Sequence, residues 1–379
     1  MGMLVLYMVI SVFKITAKDR HARCGHLSLA HGTVETPVFM PVGTQGTVKA
    51  ISVDTLKKIG FNIILGNTYH LYLRPGTEIL DKFGGLNNFM KWDRPILTDS
   101  GGFQIMSLSK LMKIEEDGVR FQSHIDGKEF YLSPDISMKV QDSIGSDIHM
   151  VLDQCIEFDM DISNIRDAMN LSLKWAEMSK KSFFKKEGRM LFGIIQGGVD
   201  QHLREQSAIE TIDIGFDGYA IGGLAVGEGH ELMLSTLDFT IPNLPDEKPR
   251  YLMGVGTPVD LVESVKRGVD MFDCVMPTRA GRHGLAYTKF GAINLRNAKF
   301  SDDMRPIDEE SDCPIASVYS RSYLHHLVRS KEILAAMLIS EINLHYYNSL
   351  MIDLRFAIRD NLLDLKIEEI KKNWTRMDV

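Results

Sequence analysis

Two aspartates stand at the ends of apolar runs, where their side chains could act on a sugar. Asp99 lies in the stretch LTDSGGFQ, and Asp273 lies in the stretch MFDCVMPTR. Displacement at an anomeric carbon needs two carboxylates in one pocket, because one acts as a nucleophile while the other serves as general acid and base. The residue types therefore point to transfer of a glycosyl group.

Other side chains near the ends of apolar runs could recognise a flat, polar ligand. Asp153 and Glu228 could accept hydrogen bonds, and Gln196 could both donate and accept them, together with the backbone of IGGLAVGE. A planar heterocycle such as a purine has donors and acceptors along its edge, and Phe103 and Met253 could cover its two faces. The set predicts a purine-like ligand.

Eight apolar, β-rich runs must position these residues. They occupy residues 37–44, 61–68, 95–102, 146–153, 190–198, 218–225, 249–257 and 271–278. Most are separated by segments with helical periodicity, and continuous apolar strands alternating with helices are typical of a parallel sheet covered on both faces. Eight such units predict a (β/α)₈ barrel, and a doubly wound sheet is the alternative.

Nearly all of these runs end in a polar residue or a glycine. The strand-end residues are Asn67, Asp99, Asp153, Gln196, Gly222, Gly256 and Asp273. In a parallel barrel these ends share the face on which the βα loops build the active site, so we expect them to converge. One such residue alone could simply cap a helix or form a turn. His70, in NTYHLYLRPG, is expected to make a structural hydrogen bond rather than act as a base.

The remaining segments suggest an inserted hairpin and a separate C-terminal part. Residues 119–134 alternate around an Asp-Gly turn and predict a β-hairpin. After residue 300 an acidic connector leads to segments with helical periodicity. We therefore divide the chain into an N-terminal extension (1–12), a catalytic barrel (13–300) and a C-terminal helical subdomain (301–379). The apolar N-terminus lacks signal-peptide features and is too short to cross a membrane.

The overall composition excludes few functional classes. The net charge of −7 does not by itself indicate nucleic acid, although seven Lys/Arg lie between Lys266 and Lys299. Such a run is either a solvated face or a basic patch. The four cysteines show no paired spacing, which argues against a disulfide framework and for a reducing cytoplasm. The glycine-rich stretches lack the order of a phosphate-binding loop.

Several longer motifs, in this order, resemble those of the bacterial tRNA-guanine transglycosylases. They are TPVFMPVGT, NTYHLYLRPG, LTDSGGFQ, GIIQGG, IGGLAVGE, YLMGVGTP, FDCVMPTRAGRHG and YSRSYLHHL. The resemblance covers the chain from about Phe13 to about residue 355. It implies an irregular (β/α)₈ barrel that exchanges the guanine at the wobble position of a tRNA anticodon for a 7-deazaguanine, in queuosine biosynthesis and without a redox cofactor or ATP.

The resemblance also implies roles for individual residues. Asp273 is similar in position to the nucleophile that attacks the ribose, and Asp99 to the general acid/base. The implied substrate contacts are Asp153, Cys155, Gln196, Gly223 and Leu224 for the base, Phe103 and Met253 for stacking, and Arg279 and Arg282 for the tRNA anticodon stem-loop. The implied homodimer would use positions Tyr319, Tyr323, His326 and Leu338.

The inserted base and the class of activity have alternatives. Cys155 and Val226 resemble the type that takes 7-aminomethyl-7-deazaguanine, whereas a bacterial enzyme that salvages queuine is the alternative. A retaining glycoside hydrolase would share the two carboxylates but would not need IGGLAVGE. A non-catalytic tRNA-binding subunit typically loses both catalytic carboxylates, which this chain retains.

One departure from the family concerns its structural zinc. The family binds zinc through C-x-C-x-x-C and a later histidine, and these positions are Ser311, Cys313, Ala316 and Ile342 here. Alanine and isoleucine offer no ligand atom, so we predict that no zinc is bound and that apolar packing replaces it.

Overall fold

The computed structural model describes residues 12–108 and 111–375. The strands in these ranges are β1 (Phe13–Asp19), β2 (Ala22–Leu29), β3 (Gly32–Thr36), β4 (Val38–Gly43), β5 (Ile64–Gly66), β6 (Ile96–Thr98), β7 (Met112–Glu115), β8 (Gly118–Gln122), β9 (Glu129–Leu132), β10 (Ile148–Met150), β11 (Met190–Ile195), β12 (Gly218–Ile221), β13 (Arg250–Leu252), β14 (Met271–Cys274), β15 (Leu285–Thr288) and β16 (Gly291–Asn294). The α-helices are α1 (Val53–Ile59), α2 (Thr68–Leu73), α3 (Thr77–Phe83), α4 (Leu86–Met90), α5 (Gly102–Leu108), α6 (Pro134–Ile144), α7 (Ile162–Ser182), α8 (Gln201–Ile214), α9 (His230–Thr240), α10 (Pro258–Lys266), α11 (Met276–Arg282), α12 (Pro314–Val318), α13 (Arg321–Arg329), α14 (Ile333–Arg359) and α15 (Leu363–Thr375). Residues 1–11 of the predicted N-terminal extension lie outside the described residues.

Eight parallel strands close into a barrel at the centre of the molecule. Their order is β4-β5-β6-β10-β11-β12-β13-β14, and β14 pairs with β4 to complete the ring. The strands are almost wholly buried because helices cover the outer face, which explains their continuous apolar sequences. The predicted (β/α)₈ barrel and all eight predicted strands are confirmed.

The connection between β6 and β10 carries the predicted insertion. Strands β8 and β9 form the predicted hairpin, and β7 adds a third antiparallel strand at its edge. The strand β7, MKIE, was not predicted, because its apolar/polar alternation covers only four residues; Met112 and Ile114 are both exposed.

A small antiparallel sheet, β1-β2-β3, covers the amino-terminal ends of the barrel strands. Arg23 in β2 makes a buried ion pair with Asp270, the residue before β14, at 2.6 Å. His31 donates its backbone N–H to Asp147, close before β10, at 2.9 Å. These contacts leave the opposite, carboxyl-terminal rim of the barrel open.

The long helix α14 fixes the segment that follows β14. The buried Asn343 amide donates to the carbonyls of Pro277 and Leu285 at 2.9 Å and accepts from the Tyr287 N–H at 2.6 Å. Gly281 permits this approach, since a Cβ there would lie 2.6 Å from the backbone nitrogen of Ser340. The C-terminal helices therefore hold α11, which carries the two predicted tRNA-contacting arginines.

A second apolar cluster supports the C-terminal subdomain. Its buried members are Ala286, Ile293, Leu295, Phe300, Ile307, Cys313, Ala316, Leu324, Leu327, Ala335, Leu338, Ile339 and Ile342. The cluster includes residues from both sides of position 300, and the domain boundaries set out above remain predictions. Among the described helices, none has the length and apolar character needed to cross a membrane.

Candidate active site

The predicted site residues lie around the carboxyl-terminal rim of the barrel. Asp99 follows β6, Asp153 lies after β10, and Gln196 directly follows β11. Asp273 lies within β14, whose neighbour β13 is followed by Met253. Because the strands are parallel, these side chains from distant parts of the sequence share one face.

Asp273 is held by two donors from the neighbouring strand and its loop. The Tyr251 hydroxyl donates to Oδ1 at 2.6 Å, and the Gly254 backbone N–H donates to the same oxygen at 2.8 Å. Burial raises the pKa of the Asp273 carboxyl, and these two hydrogen bonds oppose that rise. Both bonds go to Oδ1, so Oδ2 accepts no hydrogen bond from the described residues.

Asp99 is buried, and its carboxylate contacts the N-terminus of helix α2. Its Oδ1 accepts from the Thr68 backbone N–H at 2.9 Å, and its Oδ2 accepts from the Asn67 amide at 2.5 Å. Burial raises the pKa of Asp99 to about 7, aided by the negative charge of Asp273 and opposed by the Thr68 N–H. A carboxyl with a pKa near neutrality can both donate and accept a proton at physiological pH.

Asp153 and Gln196 form a second polar pair. The Gln196 Nε2 donates to Asp153 Oδ2 at 2.7 Å, and the Ser100 hydroxyl donates to Oδ1 at 3.1 Å. Burial raises the pKa of Asp153, while the Gln196, Ser100 and Cys155 hydrogen bonds oppose the rise. The Gln196 Oε1 is buried without a partner among the described residues, and such an atom is an acceptor that a ligand can satisfy.

The loop after β12 borders this pair. Gly223 has a φ of +65°, and a Cβ there would lie 2.5 Å from Gln196 Oε1. Glu228 accepts from the backbone N–H groups of Ala225 at 2.5 Å and Val226 at 2.9 Å. The structure thus uses Glu228 to order the loop, whereas the sequence suggested that it would contact the ligand itself.

The predicted stacking residues flank the rim. Phe103, in α5, has 46% of its surface exposed, and Met253 is half-buried after β13. Arg279 is exposed on α11, whereas Arg282, at its end, is half-buried with an Nη1 atom that has no partner among the described residues. Burial and the nearby Arg279 lower the pKa of Arg282.

Sequence reasoning missed residues that hold the carboxylates. Tyr251 lies in an apolar strand where an aromatic residue reads as core, and nothing in its spacing predicts a bond to Asp273. The sequence marked Asn67 only as a strand end, although it caps α2 and also donates to Asp99. A buried Arg204 was also missed; it donates to the carbonyls of Ile195 and Gly198 on either side of the Gln196 turn.

The degenerate zinc positions lie in the second apolar cluster. Cys313, Ala316 and Ile342 are buried there, and Ser311 accepts from the Cys313 backbone N–H at 3.2 Å. Of these four side chains only the Cys313 thiol is a usual zinc ligand, so the residues do not fit a four-coordinate site. Within the described ranges, no group of three or more His, Cys, Asp or Glu side chains could hold a metal.

Comparisons with known proteins identify the family of the chain. A family model described as queuine tRNA-ribosyltransferase matches residues 18–376. The queuine tRNA-ribosyltransferase of Mesorhizobium japonicum is 55% identical over 367 residues, covering 97% of this chain and 98% of that protein. The protein of the same name from Caldanaerobacter subterraneus is 53% identical over 96% of this chain and 97% of its own length. That of Zymomonas mobilis is 52% identical over 92% of this chain and 91% of its own. The chain belongs to the queuine tRNA-ribosyltransferase family.

Proposed function

We propose that this chain is a tRNA-guanine transglycosylase, a pentosyltransferase of queuosine biosynthesis. It exchanges the wobble guanine of GUN anticodons, in the tRNAs for Asp, Asn, His and Tyr, for 7-aminomethyl-7-deazaguanine. The observation that carries the proposal is the arrangement of Asp99 and Asp273 at one rim, close enough that the charge of Asp273 raises the pKa of Asp99. The Asp153–Gln196 pair beside them offers groups that recognise a purine edge.

In the first half of the reaction, Asp273 displaces guanine. Its Oδ2 attacks the ribose C1′, the bond between C1′ and N9 breaks, and the RNA remains attached as a glycosyl ester. The protonated form of Asp99 gives its proton to the departing guanine. The donors from Tyr251 and Gly254 hold Oδ1, which leaves the attacking oxygen oriented toward the sugar.

In the second half, the new base takes the place of guanine. Asp99, now a carboxylate, accepts the N9 proton of the incoming base, whose N9 then attacks C1′. The ester bond to Asp273 breaks and restores its carboxylate. One proton leaves Asp99 and one returns, and two inversions at C1′ give net retention.

The polar pair and its neighbouring loop would bind the base. The Asp153 carboxylate would accept hydrogen bonds from the ring N–H and exocyclic amine of a guanine, and the second Nε2 hydrogen of Gln196 and the Gly223 backbone N–H would donate to its carbonyl. Because the Ala225 N–H points at Glu228, the Leu224 carbonyl of the same planar peptide points the opposite way. That carbonyl is therefore available to accept a hydrogen bond from an aminomethyl group.

The tRNA would be held by the arginines of α11. Arg279 and Arg282 lie three residues apart on this helix, just after the Asp273 strand, so they can bind phosphates on either side of the reacting nucleotide. The substrate is a tRNA and the cysteines are free, and we therefore propose a cytoplasmic enzyme.

We further propose that this chain binds no zinc and acts as a homodimer. The apolar packing around Cys313, Ala316 and Ile342 supports the first point. The Tyr319 and Tyr323 rings stack on each other in the C-terminal subdomain, with their centroids 5.5 Å apart. Tyr323 is exposed, and this exposed aromatic surface supports the proposed homodimer. Leu338 instead packs inside the chain's own apolar cluster. Metal analysis finding one zinc per chain would contradict the zinc proposal, and sedimentation of a monomer would contradict the dimer.

Exchange of labelled guanine into a GUN-anticodon tRNA tests the proposed reaction. We expect the isolated chain to exchange the base and an Asp273→Asn variant to lose the activity. An inactive wild-type chain would support a non-catalytic tRNA-binding subunit, and hydrolysis of simple glycosides would support a glycoside hydrolase. A competition between 7-aminomethyl-7-deazaguanine and queuine decides which base is inserted; a preference for queuine would favour a salvage enzyme.

A further inference from the structure

A line of hydrogen bonds connects His70 to the Asp99 carboxylate through Asn67. The Asn67 Oδ1 caps helix α2 by accepting the His70 backbone N–H at 3.1 Å, and it lies 2.6 Å from the His70 ring Nδ1. The Asn67 Nδ2 donates to Asp99 Oδ2 at 2.5 Å. One amide therefore bridges the start of the helix and the carboxylate.

The bridge works in only one orientation of the Asn67 amide. An amide has an acceptor end and a donor end, and the backbone N–H of His70 requires the acceptor end to face the helix. The donor end then faces Asp99. A serine or an aspartate could cap the helix equally well, but neither could also offer an N–H to the carboxylate.

The His70 ring adds a second donor to the same oxygen. Burial lowers the pKa of His70 to about 4, helped by the nearby His124 and Lys49, so the ring is neutral at physiological pH. A neutral imidazole has one N–H, and the Asn67 oxygen, which can only accept, places that hydrogen on Nδ1. Two donors on Oδ1 hold the amide more firmly than the helix cap alone.

We propose that His70 is a positioning residue that sets the hydrogen bond between Asn67 and the Asp99 carboxylate. The inference rests on the proposed function, in which Asp99 passes the proton between the bases. His70 reaches Asp99 only through Asn67, and it acts by limiting the motion of the amide that touches the carboxylate. Without the ring donor, the Asn67 N–H is less well directed and the ionised form of Asp99 is less stabilised.

The consequence for pH dependence has a definite sign. A donor to the ionised carboxylate lowers its pKa, so loosening that donor raises it. The other titratable or polar groups around Asp99 include Asp273, Asp153, Tyr251, Cys155 and the backbone N–H groups of Thr68 and Gly101, and none of them is part of the His70 side chain. Proton acceptance by Asp99 should therefore move to higher pH.

Three variants of His70 test the inference. In His70→Asn the side-chain amide nitrogen lies near the position of Nδ1, in His70→Gln it lies nearer Nε2, and His70→Phe removes the donor. We expect kcat for base exchange to fall about tenfold in His70→Phe and His70→Gln, with the acid limb of its pH profile moved up by about 0.5–1 pH unit. His70→Asn should stay within about twofold of wild type.

A second readout separates positioning from general damage. The covalent adduct between RNA and Asp273 should form in all three variants, because the contacts of Asp273 do not involve His70. An unshifted pH profile in His70→Phe, or equal losses in His70→Asn and His70→Gln, would overturn the inference. If His70→Phe does not fold, the comparison of the two amide variants decides. An inactive wild-type protein would overturn the proposed function itself.

Discussion

A methyl group added at Gly223 should weaken base binding as well as the fold. In Gly223→Ala the new Cβ would lie 2.5 Å from Gln196 Oε1, so the Gln196 side chain must move. That side chain is buried, and its Nε2 donates to the Asp153 carboxylate at 2.7 Å. Losing a hydrogen bond to a charged group costs about 1.5–3 kcal/mol. We expect the KM for the base to rise by about 10- to 100-fold, since each 1.4 kcal/mol is tenfold.

The same loop supplies a control in which a glycine with positive φ is replaced without a contact to Gln196. Gly229 also has a positive φ, of +80°, but a Cβ there would meet nothing within 4 Å. Gly229, with a ψ of 168°, lies in a backbone region that is essentially restricted to glycine, so Gly229→Ala should lower the unfolding free energy by about 1–3 kcal/mol. Gly223→Ala should add the loss of the Gln196–Asp153 hydrogen bond, about 1.5–3 kcal/mol, to its own backbone strain. Only Gly223→Ala should change the KM for the base in steady-state exchange at saturating tRNA. Equal KM values in the two variants would refute the assigned contact between this loop and Gln196.

Three further changes should have separate effects. Because folding raises the pKa of Asp99 to about 7, the wild-type free energy of unfolding is highest below about pH 4 and falls as the pH rises toward 7. Asp99→Asn should abolish exchange and remove this fall, so at pH 8 its free energy of unfolding in urea should exceed that of the wild type by about 1–2 kcal/mol. Arg279→Ala should weaken tRNA binding and reduce the slope of log affinity against log salt by about 1, without altering the KM for the base; an unchanged slope argues against a phosphate contact. Asn343→Leu should lower the unfolding free energy by about 3 kcal/mol, because three buried backbone groups lose their partner; a loss below about 1 kcal/mol would contradict this.

The barrel could be predicted because its strands have an unmistakable pattern. Strands buried on both faces require continuous apolar residues, and all eight such runs became barrel strands. The four-residue edge strand β7 is exposed and escaped prediction. The sheet β1-β2-β3 also escaped prediction, because its strands, such as the mostly buried ARCGHLSL of β2, mix apolar residues with charged, polar and glycine residues instead of forming a continuous apolar run. Local sequence also does not determine which strands pair. The pairing of β14 with β4, which closes the barrel, could therefore be expected only from the fold class.

The two aspartates of the proposed mechanism could be singled out from sequence more readily than the residues that hold them. Asp99 and Asp273 stand out because a carboxylate at the end of an apolar strand is costly unless it has a role. Tyr251 does not stand out, because a buried tyrosine is common in cores and its hydroxyl partner becomes known only in three dimensions. Asn67 reads as a helix cap, and only the structure reveals the Asp99 contact at its other end. The departure at the zinc positions could be identified from sequence alone, since alanine and isoleucine lack ligand atoms.

The covalent attachment of RNA to Asp273 is the centre of the account. Incubating the protein with a GUN-anticodon stem-loop in the absence of an incoming base, followed by denaturation, proteolysis and mass spectrometry, measures it directly. We predict a ribose-linked peptide that carries the modification on Asp273, and its absence in Asp273→Asn. Attachment at Asp99, or active base exchange by Asp273→Asn, would contradict the account.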